Sequence, residues 1–220
     1  MELNAYIDHT LLKPTATERQ IISLCNEAIT HNFHSVCVNS GYVAIAEQAL
    51  KETPVKVCSV VGFPLGAMST KSKIYEAQSA VNMGATEIDM VMNLGFLKSR
   101  NFVAILKDIS DVKRAIGHNT LKVILEISEL SKNEIVRACE ICLDANADFV
   151  KTSTGFSKSG ATLTAIKIIK KTLKGQAKIK ASGGIRTAET ALKYIEAGVD
   201  RIGTSSGVSM MNEYHSQLTY

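Results

Sequence analysis

Two rhythms alternate along this chain. Short apolar runs rich in Val, Ile, Met and Cys recur at Ser35–Asn39, Val55–Val61, Glu87–Asn93 and Lys122–Ile127, and again at residues 148–152, 178–182 and 200–204. Runs this short and this β-branched predict strands buried on both faces, as in a parallel sheet. A first run, Tyr6 to Leu12, is stopped by Pro14. Between the runs lie longer stretches with apolar residues at helical spacing. Ile21, Ile22, Leu24, Cys25, Ala28 and Ile29 follow Thr15 and Thr17, either of which can cap a helix. Further helices are predicted over Gly41–Lys51, Thr70–Asn82, Phe102–Ile116 and residues 132–145, 161–173 and 187–197, with Gly84 as a helix stop. Eight strand-led units repeat about every 25 to 30 residues. That rhythm predicts an α/β chain folded as a (β/α)8 TIM barrel, one domain over residues 1–220. An open doubly wound sheet is the alternative. It requires a glycine fingerprint after the first strand, and Asp8-His9-Thr10 is not one.

Composition narrows the function classes. Hydrophobic residues make up 45% of the 220 and charged residues 21%, within the range of ordinary globular domains. The net charge of +4 is too small to mark a nucleic-acid surface. The densest basic stretch, Lys167 to Lys174, alternates with apolar residues and reads as the wet face of a helix. No apolar run approaches the roughly 20 residues of a membrane span, and no cleavable leader is evident, so the expectation is a cytoplasmic protein. Five cysteines form no framework of the secreted kind. Cys139 and Cys142 make a C-x-x-C inside a helical pattern, where both serve as small core residues. The five histidines show no metal-ligand spacing, and His31 and His34 flank a helix end. No metal or organic cofactor is called for.

The strands themselves carry the candidate chemistry. In barrels of this kind, functional groups gather at the carboxyl ends of the strands. Asp8, Asn39, Asp89, Glu126, Lys151 and Lys180 sit where that rule places a site. Residues two apart share a strand face, so Lys178, Lys180 and Ser182 point one way and Ile179 and Ala181 the other. One lysine on an apolar strand reads most simply as a barrel-interior ion pair. Two on consecutive strands, with Asp89 and Asp8 around the ring, favour catalysis: a second ammonium and burial both disfavour protonating the first amine. A neutral amine is the nucleophile of Schiff-base chemistry. Glycine-rich turns follow the last three strands, at Thr154-Gly155, Gly183-Gly184 with Arg186, and Gly203 with Ser205 and Ser206. Backbone amides there, aided by hydroxyls and a guanidinium, suit a phosphate. An isomerase, an imine-forming lyase and a phosphosugar-binding barrel without activity remain alternatives at this point.

The stretches IDHTLLKP, SVCVN, VVGFPLGA, GATEIDMVMNLG, DFVKTSTGF, KASGGIR and RIGTSSGV resemble the deoxyribose-phosphate aldolase family, from Tyr6 to about Met211. The resemblance implies a (β/α)8 barrel and a metal-free class I aldolase. Its reaction would be the reversible cleavage of 2-deoxy-D-ribose 5-phosphate to D-glyceraldehyde 3-phosphate and acetaldehyde, in deoxyribose phosphate catabolism. By motif, Lys151 would form the Schiff base, Lys180 would perturb it, Asp89 would move the proton, and Asp8 would support the relay. Gly155, Gly183, Gly184, Arg186, Gly203, Ser205 and Ser206 would match the phosphate turns. The partner implied is a phosphosugar, with no nucleic acid or membrane, in a homodimer or higher homo-oligomer. Two stretches depart from the pattern. Asn39-Ser40-Gly41 lacks a proline after the asparagine, and Ser157-Lys158-Ser159 replaces a glycine-rich run.

Overall fold

A computed structural model describes residues 2–218. Eight parallel strands close on themselves in sequence order: β1 (Ile7–Leu11), β2 (Ser35–Val38), β3 (Lys56–Val61), β4 (Glu87–Val91), β5 (Thr120–Ile124), β6 (Phe149–Lys151), β7 (Lys178–Ser182) and β8 (Arg201–Thr204). Pairing of Asp8 with Gly203 joins the last strand to the first. Around this barrel run α1 (Glu18–Thr30), α2 (Val43–Leu50), α3 (Thr70–Asn82), α4 (Leu94–Lys98), α5 (Phe102–Ala115), α6 (Lys132–Asp144), α7 (Leu163–Leu173), α8 (Ala188–Glu196) and α9 (Gly207–Leu218). The closed barrel excludes the open sheet.

Local chemistry explains the boundaries. Thr17 caps α1 in a reciprocal pair with Gln20, and Ser131 does the same for α6 with Glu134. Gly84, at φ 108°, follows the end of α3 in the left-handed half of backbone space. Two elements escape the hydrophobic pattern. The short α4 starts on Asn93, whose side chain accepts from Phe96 N, and α9 follows the last apolar strand. One strand is displaced. The run Lys122–Ile127 pairs only to Ile124, because Glu126 takes φ 54° and turns the chain into a single 3-10 turn at Ile127–Glu129.

Alternation along the strands separates two interiors. Ile88, Met90, Leu121, Val123, Val150, Ile179, Ala181 and Ile202 face outward into the large core beneath the helices. A smaller apolar group, Leu12, Cys37, Cys58 and Val60, packs with Phe63 as a separate cluster. Six of the inward positions of β4 to β8 are charged and buried: Glu87, Asp89, Lys122, Lys151, Lys180 and Arg201. Barrels are usually filled there by branched aliphatic layers. Charges this deep need partners, since an unpaired buried ion costs several kcal/mol.

Candidate active site

Lys151 ends β6, level with Lys180 on one neighbour and Ile124 on the other. Its Nζ donates to Asp89 Oδ2 at 2.8 Å. Lys180 Nζ donates to the same oxygen at 2.8 Å and also pairs with Asp8 Oδ2. The other Asp89 oxygen accepts from Lys122 Nζ at 2.7 Å, and Lys122 reaches Glu87 Oε2 at 2.6 Å. Arg201 closes the ring, 2.7 Å from Asp8 Oδ1 and 3.5 Å from Glu87 Oε1. Three carboxylates and four cations therefore neutralise one another to within a single charge. The four positions expected from the sequence are joined in one series of ion pairs, Lys151 to Asp89, Asp89 to Lys180 and Lys180 to Asp8. Lys122, Glu87 and Arg201 are additions. Lys122 could have been found by the criterion that marked Lys151, a single lysine in an apolar strand, level with Asp89 on the next.

Asp8, Asp89, Lys122 and Lys180 are held in their ionised forms by their neighbours. Burial by itself would raise the Asp89 carboxyl, but Lys122, Lys151 and Lys180 outweigh it and hold the group well below the usual range. Asp8 is likewise kept low against burial by Lys180, Arg201 and Lys122. Burial would drop the Lys180 ammonium, yet Asp8 and Asp89 overcome that and raise it above the ordinary lysine value. Burial would likewise drop the Lys122 ammonium, but Asp89, Glu87 and Asp8 hold it well above the ordinary lysine value. Within ion-pair distance Lys122 has three carboxylates and Lys180 two, whereas Lys151 has one.

Above this cluster opens a cavity of about 290 Å³. Lys151 lies in its wall with Thr154, Gly155, Gly183, Gly184, Arg186, Gly203 and Ser205. Ser206, expected with them, is not in the wall: its N–H donates to Thr204 Oγ1 at 2.9 Å, where α9 begins. Asp8, Asp89 and Lys180 lie beneath, fully buried. At Gly203, inside the barrel, a Cβ would fit only tightly, 3.0 Å from Lys180 Cε. Gly160 is required at the mouth, since its Cβ would fall 1.9 Å from the Gly183 oxygen. That contact packs the loop after β6 against the turn after β7.

Glu126 stands beside the wall as a brace. One oxygen accepts from the Thr154 hydroxyl and from Thr154 N, and Thr154 Oγ1 in turn accepts from Phe156 N at 3.0 Å. The two departures in sequence have local compensation. Ser157 donates to Glu129 at 2.8 Å and Lys158 pairs with it at 3.0 Å, tying the loop after β6 to the loop after β5. Ser40 donates to Glu76 at 2.8 Å, and Asn39 donates to the Leu12 oxygen at 3.4 Å.

The cysteine pair singled out in sequence, Cys139 and Cys142, is buried in α6, and burial pushes the Cys139 thiol up to about 12. The cysteines near the site are instead Cys37 and Cys58, level on β2 and β3. Their sulfurs and an Asp89 oxygen lie within 4.8 Å of one another, the set of atoms nearest to a metal-ligand cluster among the described residues. Asp89 is already engaged there by ammonium groups. Cys58 donates to Asp89 Oδ1 at 3.1 Å, and burial keeps its thiol protonated.

Residues 3–214 match the family model described as DeoC/LacD family aldolase. The chain belongs to that aldolase family. Among its relatives, the deoxyribose-phosphate aldolase 1 of Mesoplasma florum is 50% identical over 220 residues, covering all of both chains. The deoxyribose-phosphate aldolase of Caldicellulosiruptor saccharolyticus is 53% identical over 215 residues, 96% of this chain and 98% of that one. Solved structures agree. One described as QR15, an aldolase, superposes with a TM-score of 0.95 at 43% identity, covering 99% of this chain and 97% of the other. The tetrameric deoxyribose phosphate aldolase of Aeropyrum pernix gives 0.89 at 34% identity, over 98% and 92%. For this DeoC/LacD aldolase the lysine–carboxylate cluster is thus the candidate site of carbon–carbon bond chemistry.

Proposed function

We propose that this aldolase cleaves 2-deoxy-D-ribose 5-phosphate reversibly to D-glyceraldehyde 3-phosphate and acetaldehyde through a Schiff base on Lys151. One observation carries the reading: the amine in the wall of a glycine-lined cavity is 2.8 Å from a carboxylate that can take its proton. Lys151 is also the lysine of the cluster with the fewest carboxylate anchors. Freed of its proton, its nitrogen attacks the C1 aldehyde of the open-chain sugar and water leaves, giving an iminium. The iminium draws the electrons of the C2–C3 bond as the C3 hydroxyl loses its proton. Glyceraldehyde 3-phosphate departs, and an enamine of acetaldehyde remains on Lys151. Protonation at C2 and hydrolysis then release acetaldehyde and the free amine. Asp89 is the nearest proton carrier for these transfers. Lys180, held charged by Asp8 and Asp89, competes with Lys151 for the same carboxylate oxygen.

The iminium is itself the electron sink, so this chemistry calls for no metal or organic cofactor. The turns bearing Gly155, Gly183, Gly184, Arg186, Gly203 and Ser205 would take the phosphate. Ser206 would act from the start of α9. We further infer a cytoplasmic homo-oligomer, a dimer or larger, acting in deoxyribose phosphate catabolism. The tetrameric relative supports the assembly, and no helix among the described residues is long and apolar enough to cross a membrane.

The test is aldehyde release from 2-deoxyribose 5-phosphate, followed by borohydride trapping with acetaldehyde. The expected adduct is an ethyl group on Lys151. Absence of turnover at high enzyme concentration defeats the assignment, and an adduct mapped to Lys180 reverses the roles of the lysines.

A further inference from the structure

The cavity above Lys151 has a property that its glycines do not explain. Its wall holds three cations, Lys13, Lys151 and Arg186, and no carboxylate. Lys151 is neutralised from below by Asp89. Lys13 and Arg186 are both exposed, and among the described residues neither has an ion-pair partner. They come from the loops after β1 and β7, the two strands that flank β8 in the closed barrel. They therefore lie on either side of the turn that carries Gly203 and Ser205.

A phosphate monoester carries about −1.5 to −2 charges at neutral pH. Arg186 supplies one compensating charge. Lys13 is placed to supply the second. Its backbone is anchored on both sides although its side chain is free. Leu12 before it is packed in the small apolar cluster and has its oxygen held by Asn39 at 3.4 Å. Pro14 after it fixes the chain direction, and the Lys13 oxygen accepts from Ala16 N at 3.0 Å. A flexible cation on a fixed base, at the rim of a cavity without anions, differs from an ordinary solvated lysine.

Resting on the aldolase reading above, we propose that Lys13 is a specificity residue for the phosphate group of the substrate, acting as the second charge opposite Arg186. Lysine works there as a point charge, so arginine should replace it tolerably and a neutral chain should not. The site then discriminates by charge number, favouring dianionic monoesters over singly charged or neutral sugars.

The experiment compares K13M, K13R and R186L with the wild-type enzyme on 2-deoxyribose 5-phosphate and on free 2-deoxyribose. Inorganic phosphate binding is measured alongside by calorimetry. K13M is expected to raise KM for the phosphorylated sugar about tenfold and to weaken phosphate binding by a similar factor. Its kcat/KM for free deoxyribose should stay within about twofold of wild type, because no uniform loss of the fold or amine is involved. K13R should recover most of the loss. Equal effects of K13M on both sugars would overturn the proposal. So would an unchanged phosphate affinity in K13M while R186L loses it. Failure of the aldolase reading is separable: an enzyme that ignores the phosphorylated sugar but loses phosphate binding in K13M keeps the anion site and loses only the assigned reaction.

Discussion

At the scale of single residues, Asp89 Oδ2 is the atom on which the site turns, because two ammonium groups share it at 2.8 Å each. Removing Lys180 leaves Lys151 without a rival for that oxygen. It also leaves Asp8 with Arg201 at 2.7 Å and Lys122 no nearer than 3.9 Å. Lys180→Met should therefore leave Lys151 in an unshared ion pair with Asp89 and slow imine formation at neutral pH by roughly 10²-fold, the low end of what a positioned acid–base group contributes. Since breaking a buried pair costs about 3–5 kcal/mol, the fold of the variant is first checked by circular dichroism. If Lys180 works by charge, raising the pH restores part of the rate of borohydride trapping. A profile that stays low and flat through pH 10 in a folded variant makes Lys180 a direct proton carrier instead. The two lysines and Asp89 were legible in the sequence because each is a charge set within a mainly apolar strand run. Lys122 satisfied the same criterion, but its role depends on the register that sets it level with Asp89. Cys58 left no such signal, since a cysteine in a strand is ordinarily core.

At the scale of elements, the loops after β5, β6 and β7 behave as one braced unit. Glu126 and Glu129 bind the second to the first, and the approach of Gly160 to Gly183 fits the second to the third. Gly160→Ala would place a methyl group 1.9 Å from the Gly183 oxygen and must push these loops apart. A displacement near 1 Å at a positioning loop can cost about 10²-fold. The expected result is a rise of that order in KM for the phosphorylated sugar, with imine trapping by acetaldehyde retained, because Lys151 belongs to the strand and not to the loop. Loss of trapping as well would show that the loops also set the amine. The barrel was readable from the strand–helix rhythm, and most helices fell within a few residues of their expected bounds. The end of β5 was not, because the residue that stops it is a glutamate in a left-handed conformation that few side chains adopt. Ser206 was grouped with the cavity because sequence proximity to Ser205 does not reveal which residue the start of α9 turns away.

For the whole molecule, a barrel filled with seven charges ties stability to pH. Asp8, Glu87 and Asp89 all have carboxyls held below their ordinary values, each by cations that outweigh burial. Groups lowered in the folded state contribute stability fully above their unfolded value of about 4, and lose it as the pH falls through the folded value. Lys122 and Lys180, raised in the folded state, contribute fully below about 10.4 and lose it only as the pH climbs through their higher folded values. Stability from the cluster should therefore be level between about pH 5 and 9 and fall steeply below 4. Each proton taken up on unfolding adds about 1.4 kcal/mol per pH unit to that slope, so three coupled carboxylates give roughly 4. Urea unfolding at pH 2.5 to 7 measures it. The origin of the slope is tested with Glu87→Gln, which removes a carboxylate 2.6 Å from Lys122 and none of the groups in the cavity wall. The variant should be less stable at neutral pH, because Lys122 loses a partner. Its acid limb should also be shallower by about one proton's worth. An acid limb as steep as that of the wild type would place the pH dependence on surface carboxylates such as Glu134, whose carboxyl is held near 2 by Lys98 and the N-cap of α6. The buried ring would then be a device of catalysis alone.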